Sequence, residues 1–317
     1  MPVLLRESDV DRLLTIADSI DAVEEGVRLL GRGEAVNYPR RRGVFENAIL
    51  NIRWVLAPPL GGMGVKVYPI IRSDIIQGSA FTFLLYGLPA GDLQAILEVN
   101  LLGQRRTGAA SAVASRYLAR PESETLSIFG ADWQASSQVA AIAHALPALR
   151  QVLVVARSVE RQARLVQQLR AMIGLNVQVA EPRDAVGRAD VLVTATGSAE
   201  PVFDGAWLRP GTHVNAVGSN FAGERELDEQ AIRRADVVVA DSGEAARLES
   251  GDLLRNDFEW ERLVELGAIA AGLAPGDSSP EEITIFKSHG LALEDLACAV
   301  RVTSRAKRER ISPPLPD

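Results

Sequence analysis

Gly130, Asp132 and Ala135, in the stretch IFGADWQASSQ (residues 128–138), stand at the spacing of a glycine turn between a strand and a helix. In the G-x-G-x-x-G pattern the first glycine makes the turn and the second lets a pyrophosphate approach the backbone. The third allows the helix to pack closely on the strand, and free N–H groups at the helix N-terminus receive the phosphate oxygens. Alanine is an accepted third member. Aspartate at the second position adds bulk and, when ionised, a negative charge facing phosphate. Either Asp132 turns away to cap the helix that begins near Trp133, or the phosphate site is impaired. Gly130, Asp132, Trp133 and Gln134 are the candidate cofactor-binding residues of this turn.

The next strand-like run ends in VVARSVERQ. An acid there would ordinarily accept the ribose hydroxyls. This chain has Ala156, then Arg157 and Ser158, with Arg161 one turn later. A guanidinium beside a hydroxyl suits a 2′-phosphate through charge-assisted, bidentate hydrogen bonds, so the pattern favours NADP(H) over NAD(H). The bland alternative is a pair of surface arginines. Further along, TATG (194–197) and AVG (216–218) each end an apolar run, which places Thr196, Gly197, Val217 and Gly218 where ligands of such sheets sit.

These residues need a scaffold, and the patterning supplies one. TLSIF, QVLVVA, NVQVA, ADVLVTAT, THVNAVG and ADVVVADS alternate with amphipathic stretches between Thr125 and Ser242. Short, continuous β-branched runs are strands buried on both faces, hence a parallel sheet flanked by helices: a doubly wound, Rossmann-like α/β domain. The N-terminal part differs. A helix over SIDAVEEGVRLLGRG precedes the strand-like AILNIRWVLAPP, MGVKVYPI, SAFTFLLYG and LQAILEV, on short Gly/Pro turns. That order implies an antiparallel or mixed sheet in an α+β domain. The expected division is residues 1–119, with a C-terminal helix (299–317) packing back on them, and 120–298 for the nucleotide-binding part. The terminal SPPLPD is expected to be disordered.

The 317 residues are 47% hydrophobic, with a formal net charge of −7 and no block of like charges, which argues against nucleic-acid or anionic-membrane partners. A single cysteine, Cys298, excludes an internal disulfide, and no His/Cys spacing suggests a metal. No long apolar run is present, so a soluble, cytoplasmic protein is expected.

Several segments together resemble the ornithine cyclodeaminase/μ-crystallin family: GVKVYP (64–69), RRTGAASAVASRYLAR (105–120), the turn at Gly130, ADVLVTATGSAEPVFDGAWLRPGTHVNAVGSN (189–220), RELD (225–228), ESGDLL (249–254) and FKSHGLALEDLA (286–297). The resemblance implies a homodimer with a substrate-binding and dimerisation domain and a nucleotide-binding domain. The family includes a redox-neutral lyase converting ornithine to proline, reductases of cyclic ketimines, amino-acid dehydrogenases and an NADPH-binding crystallin, so fold alone does not decide the reaction.

Carried over by motif, the substrate carboxylate would be held by Arg41, Lys66 and Arg106, with Arg40 and Arg42 as neighbours of the first. A carboxylate removed from water needs paired cations, and two adjacent guanidiniums would lower the pKa of Lys66 and make it a proton donor. Without the resemblance, Lys66 reads as a snorkelling lysine at a strand end. The lyase needs an acid–base carboxylate after the VG-x turn. Here Asn220 stands there, and a neutral amide holds a nitrogen without accepting its proton. His289 follows Ser288 in a stretch that lies near substrate in relatives, and either acts as an acid or lines the pocket. Asp228 starts a helix, His144 and His213 belong to no constellation, and Lys287 with Glu294 and Asp295 reads as a salt-bridge set at a domain junction. The expected function is an NAD(P)H-dependent oxidoreductase acting on a C=N or CH–NH bond next to a carboxylate, such as Δ1-pyrroline-2-carboxylate or an amino acid. The alternatives are the cyclodeaminase-type lyase and a non-catalytic binder with an impaired turn.

Overall fold

The computed structural model describes residues 2–71, 80–276 and 279–311, and the terminal SPPLPD lies outside them. The chain forms two units, one of residues up to Arg106 with those from Leu291 onward, the other Thr107–Gly290. The divisions fall inside a helix and just before another, where sequence composition places them at 119/120 and 298/299.

The first unit begins with β1 (Val3–Leu5), α1 (Glu7–Leu13) and α2 (Ile16–Gly31). Thr15 caps α2, its side chain accepting from the Asp18 N–H at 3.1 Å. Six further strands follow: β2 (Val36–Asn37), β3 (Arg41–Phe45), β4 (Ala48–Ala57), β5 (Gly62–Ile71), β6 (Thr82–Gly87) and β7 (Leu93–Glu98). The sheet order is β1-β7-β6-β5-β4-β2 with β3 also on β4, antiparallel except for β1 on β7, so the sheet is mixed. Side chains alternate across a strand. Along β4, Ile49, Asn51, Arg53, Val55 and Ala57 are buried while Leu50 and Leu56 are exposed.

Helix α3 (Asn100–Leu118) leads into the second unit, whose strands are β8 (Thr125–Phe129), β9 (Gln151–Val155), β10 (Asn176–Val179), β11 (Val191–Thr194), β12 (His213–Ala216), β13 (Val237–Ala240), β14 (Leu263–Glu265) and β15 (Thr284–Lys287). All pair in parallel, in the order β10-β9-β8-β11-β12-β15-β13-β14. The six strand-like runs between Thr125 and Ser242 are β8 to β13. The connecting helices are α4 (Ala135–Ala145), α5 (Val159–Ile173), α6 (Pro182–Arg188), α7 (Glu229–Arg234), α8 (Gly243–Glu249), α9 (Gly251–Leu254) and α10 (Leu266–Ala270). Two apolar clusters cover the two faces. One holds Ile128, Val154 and Val193 with Val139 of α4 and Leu169 of α5; the other holds Leu153, Leu192, Val214 and Ile285 with Ile232 of α7. Adjacent residues on one strand enter opposite clusters, which is why these runs are apolar throughout. The fold is a Rossmann-like, doubly wound sheet plus an α+β unit. The strand order reverses between β8 and β11, the place where such sheets open a crevice at their carboxyl ends.

The last helix, α11 (Ala292–Glu309), belongs to the first unit and packs on α2 and on strands β4 to β7. Gly26 of α2 faces Leu293 and Ala297 of this helix, where a Cβ would make van der Waals contact at 3.4 Å and 3.6 Å. Arg305 fixes the far end through Asp18 at 2.5 Å.

Candidate functional site

In the first unit, β4 and β5 pair so that Arg53 lies opposite Lys66, and Lys66 opposite Phe83 of β6. Paired residues share a face. Lys66 is 2% exposed, and its Nζ donates to Asp295 Oδ1 on α11 at 2.7 Å. Arg106, near the middle of α3, donates from Nη1 to Glu294 Oε2 at 2.7 Å, and its Nε is 3.3 Å from Asp295 Oδ1. Gly103 leaves the room that Lys66 needs, for a Cβ there would meet Nζ at 3.2 Å. The ammonium also lies 5.5 Å from the Phe81 ring centre and 6.0 Å from that of Tyr68.

The electrostatics follow from this packing. Burial lowers the Lys66 pKa to about 8, with Arg106 and Arg53 adding to the effect and the charge and hydrogen bond of Asp295 opposing it. Burial raises the Asp295 carboxyl, but Lys66 and Arg106 outweigh it and hold the pKa below the ordinary value. Arg106 keeps its charge more firmly than usual because Asp295 and Glu294 outweigh the effect of burial. Three buried cations, Arg53, Lys66 and Arg106, thus face two buried carboxylates. A cluster this rich in buried cationic N–H donors suits a carboxylate from a ligand.

Lys66 is enclosed in the middle of β5, and one sequence expectation changes here. Arg41 is not brought together with it: Arg41 pairs with Ile52, on the opposite face from Arg53, and is exposed. Arg42 pairs with Asn51 and shares the face of Arg53 and Lys66, and Arg40 is also buried. Period-2 alternation is the reason, since one step along β3 reverses the side chain.

In the second unit, Gly130 follows β8 with φ +113°, and a Cβ there would meet Ala195 O at 2.3 Å, so only glycine fits. Beside it opens a cavity of about 720 Å³, at the ends of β8, β9, β10 and β11. Gly130, Asp132, Arg157, Ser158, Arg161, Thr196 and Gly197 all line it, and a Cβ on Gly197 would touch nothing. Trp133, Gln134, Val217 and Gly218 are not on its wall. Asp132 does not cap the helix that follows. Helix α4 starts at Ala135 with Gln134 as N-cap and no side-chain cap, while the Asp132 carboxylate accepts from Arg161 Nη1 at 2.6 Å. Arg157 donates from Nη2 to Ser198 Oγ at 2.9 Å, and Ser158 caps α5 by accepting from the Arg161 N–H at 3.3 Å.

Sequence reading missed Glu226. Its buried carboxylate accepts from Thr194 Oγ1 at 2.8 Å, from the Thr196 N–H and Oγ1 at 2.7 Å each, and from the Gly218 N–H at 2.8 Å. It therefore ties together the ends of β11 and β12. Burial raises its pKa above the ordinary carboxylate value. The RELD segment already quoted was the available signal. Lys287, buried at the end of β15, donates to Ser219 O at 2.7 Å and lies 2.8 Å from Asp252. The expected single junction set is thus two sets, Lys287 with Asp252 in one unit and Glu294 with Asp295 in the other. Burial raises the Asp252 carboxyl, and the charge and hydrogen bond of Lys287 with two N–H donors more than reverse this.

His289 lies beyond β15, with Nδ1 at 3.4 Å from Asp241 Oδ1 and its own N–H at 2.6 Å from Oδ2. Ser288 Oγ and the Gly290 N–H reach the same carboxylate. Asp228 starts α7, accepting from the Ala231 N–H at 2.8 Å. Asn220 is half-buried in the turn after β12. Buried His213 accepts or donates at Thr284 Oγ1, 2.8 Å away, and burial lowers its pKa to about 3.

Residues 1–310 match the profile of the ornithine cyclodeaminase/mu-crystallin family. The chain belongs to that family. A Delta(1)-pyrroline-2-carboxylate reductase of Bacillus cereus is 36% identical over 265 residues, which cover 81% of this chain and 81% of the relative. Among solved structures, Thermococcus litoralis Delta(1)-pyrroline-2-carboxylate reductase in complex with NADH and L-proline superposes with a TM-score of 0.94 at 30% identity, covering 99% of this chain and all of that one. An archaeal alanine dehydrogenase dimer with bound NAD gives 0.94 at 28% identity, with 99% of each chain covered.

Proposed function

We propose that this ornithine cyclodeaminase-family chain is an NAD(P)H-dependent oxidoreductase that reduces a C=N bond next to a carboxylate, or oxidises the corresponding amino acid. A cyclic ketimine such as Δ1-pyrroline-2-carboxylate is the substrate favoured. The observation that carries the reading is the buried cluster of Arg53, Lys66 and Arg106 with Glu294 and Asp295 in the first unit. The relatives that bind NADH with L-proline, or NAD, make the same pairing of ligands natural for this chain.

The coenzyme, when bound, supplies or accepts the hydride. Gly130 and Gly197 would hold the dinucleotide by leaving its phosphates and ribose room beside the backbone, and Arg157 and Arg161 would favour NADP(H) over NAD(H). Arg53, Lys66 and Arg106, with Arg42 of β3 or Arg40 just before it, hold the substrate carboxylate by charge and by paired N–H donors. Reduction of a ketimine would need a proton at its nitrogen, and Lys66 Nζ holds one near neutrality. Asn220 hydrogen-bonds the substrate nitrogen but does not take its proton, which disfavours loss of ammonia. His289, fixed by Asp241, lines the substrate pocket.

We also place the protein in the cytoplasm as a homodimer. No helix among the described residues is long and apolar enough to cross a membrane. An exposed apolar face on the first unit, with Phe45 at 75% exposure and Leu50 at 47%, suits a second copy of the chain.

Oxidation of NADPH and NADH against a panel of cyclic imino acids tests the activity. Turnover of Δ1-pyrroline-2-carboxylate supports it. No turnover of any member, with coenzyme bound, would overturn it, and proline formed from ornithine without net redox change would assign the lyase reaction.

A further inference from the structure

Asp132 occupies the place where a phosphate turn has its second glycine, and its carboxylate pairs with Arg161 at 2.6 Å. Both side chains line the cavity and remain more than half exposed, at 56% and 58%. The three groups suited to a 2′-phosphate are each engaged, though in different ways. Arg157 is held by Ser198, a neutral partner that leaves its charge available to a ligand. The Ser158 hydroxyl accepts one N–H and can still donate its own proton. Arg161 alone faces a full negative charge. An exposed ion pair of this kind is weak in water, so a dianion can displace it. The phosphate then meets repulsion from the released carboxylate, whereas an unphosphorylated ribose carries no charge to repel.

We propose that Asp132 is a specificity-determining residue for the coenzyme: an internal counter-ion that a 2′-phosphate must displace from Arg161, narrowing the preference for the phosphorylated dinucleotide. The proposal rests on the cavity being the dinucleotide site. It separates two effects of the same carboxylate. Repulsion of the pyrophosphate would weaken both coenzymes alike, because both carry that group. Competition for Arg161 acts on the 2′-phosphate alone.

Calorimetric titration of wild type, Asp132→Asn, Arg161→Gln and the double variant with NADPH and with NADH reads this difference. Both side chains are exposed, and thermal melting verifies that the variants fold. Asp132→Asn should raise NADPH affinity about fivefold and NADH affinity less than about twofold, with the gain in the ratio shrinking as salt is added. Arg161→Gln should weaken NADPH and leave NADH unchanged, and in its presence Asp132→Asn should no longer alter the ratio. Equal gains for both coenzymes, or an unaltered ratio, would overturn the proposal and leave the dinucleotide reading standing. Binding of neither coenzyme by wild type or by any variant would instead remove the dinucleotide reading, and the proposal with it.

Discussion

Nζ of Lys66 donates to Oδ1 of Asp295 at 2.7 Å across 229 positions of the chain, and each residue depends on the other for its charge. Asp295 alone cannot keep Lys66 at the ordinary ammonium pKa, because burial and two guanidiniums act against it. The result is a proton held near the edge of release at neutral pH.

Lys66 carries its proton below a pH of about 8 and loses it above. The kcat/KM for ketimine reduction should therefore fall as pH rises through about 8. Asp295 raises the lysine pKa, so Asp295→Asn should move this limb to lower pH. A pH–rate profile of both proteins decides the matter, and a limb that stays in place in the variant would mean that another group supplies the proton.

The register of β3 separates three adjacent arginines. Arg42→Ala should raise KM for the imino acid by about tenfold or more while leaving the coenzyme Kd unchanged, because a charge-assisted contact to carboxylate is lost. Arg41→Ala should change KM by less than about twofold. Steady-state kinetics with each variant tests this, and the opposite order would mean that β3 presents its other face to substrate.

Lys287 and Asp252 are both fully buried and oppositely charged. Removing one partner leaves the other without compensation, so Lys287→Met should destabilise the protein by about 3 to 5 kcal/mol. Urea unfolding measures it. A loss below about 1 kcal/mol would show that Asp252 is neutralised by its backbone donors alone.

The exposed row that includes Phe45 and Leu50 on the first sheet should close against a second chain. Phe45→Glu with Leu50→Glu should yield a monomer by light scattering, since two charges at a dry interface cost more than a small dimer contact returns. A dimer that survives both changes would move the interface elsewhere.

The parallel sheet was legible because its strands are buried on both faces and so carry unbroken apolar runs such as VLVV and VVVA. The turn at Gly130 was legible because a positive φ and close packing against Ala195 admit glycine alone. Lys66 and Arg106 stood out through their family motifs. Arg53 did not, although a period-2 reading of AILNIRWVLA puts it on the same face as Ile49 and Val55, where an arginine is unexpected. Glu226 was passed over because a carboxylate in a polar segment gives no sign of burial, and the partner of Asp132 was not legible because it lies a helix, a strand and a turn away.

By itself the sequence determined the central strands of both sheets, the glycine turn and the types of charge that the protein must bring together. These follow from local rules: periodicity, backbone freedom and residue chemistry act over a few positions. The tertiary structure alone decided that Asp295 serves Lys66, that Arg42 and not Arg41 shares its face, and that Asp132 faces Arg161. Such choices depend on register and on packing between distant segments, where a shift of one residue reverses a side chain and a low-dielectric interior turns an ordinary charge into a controlling one.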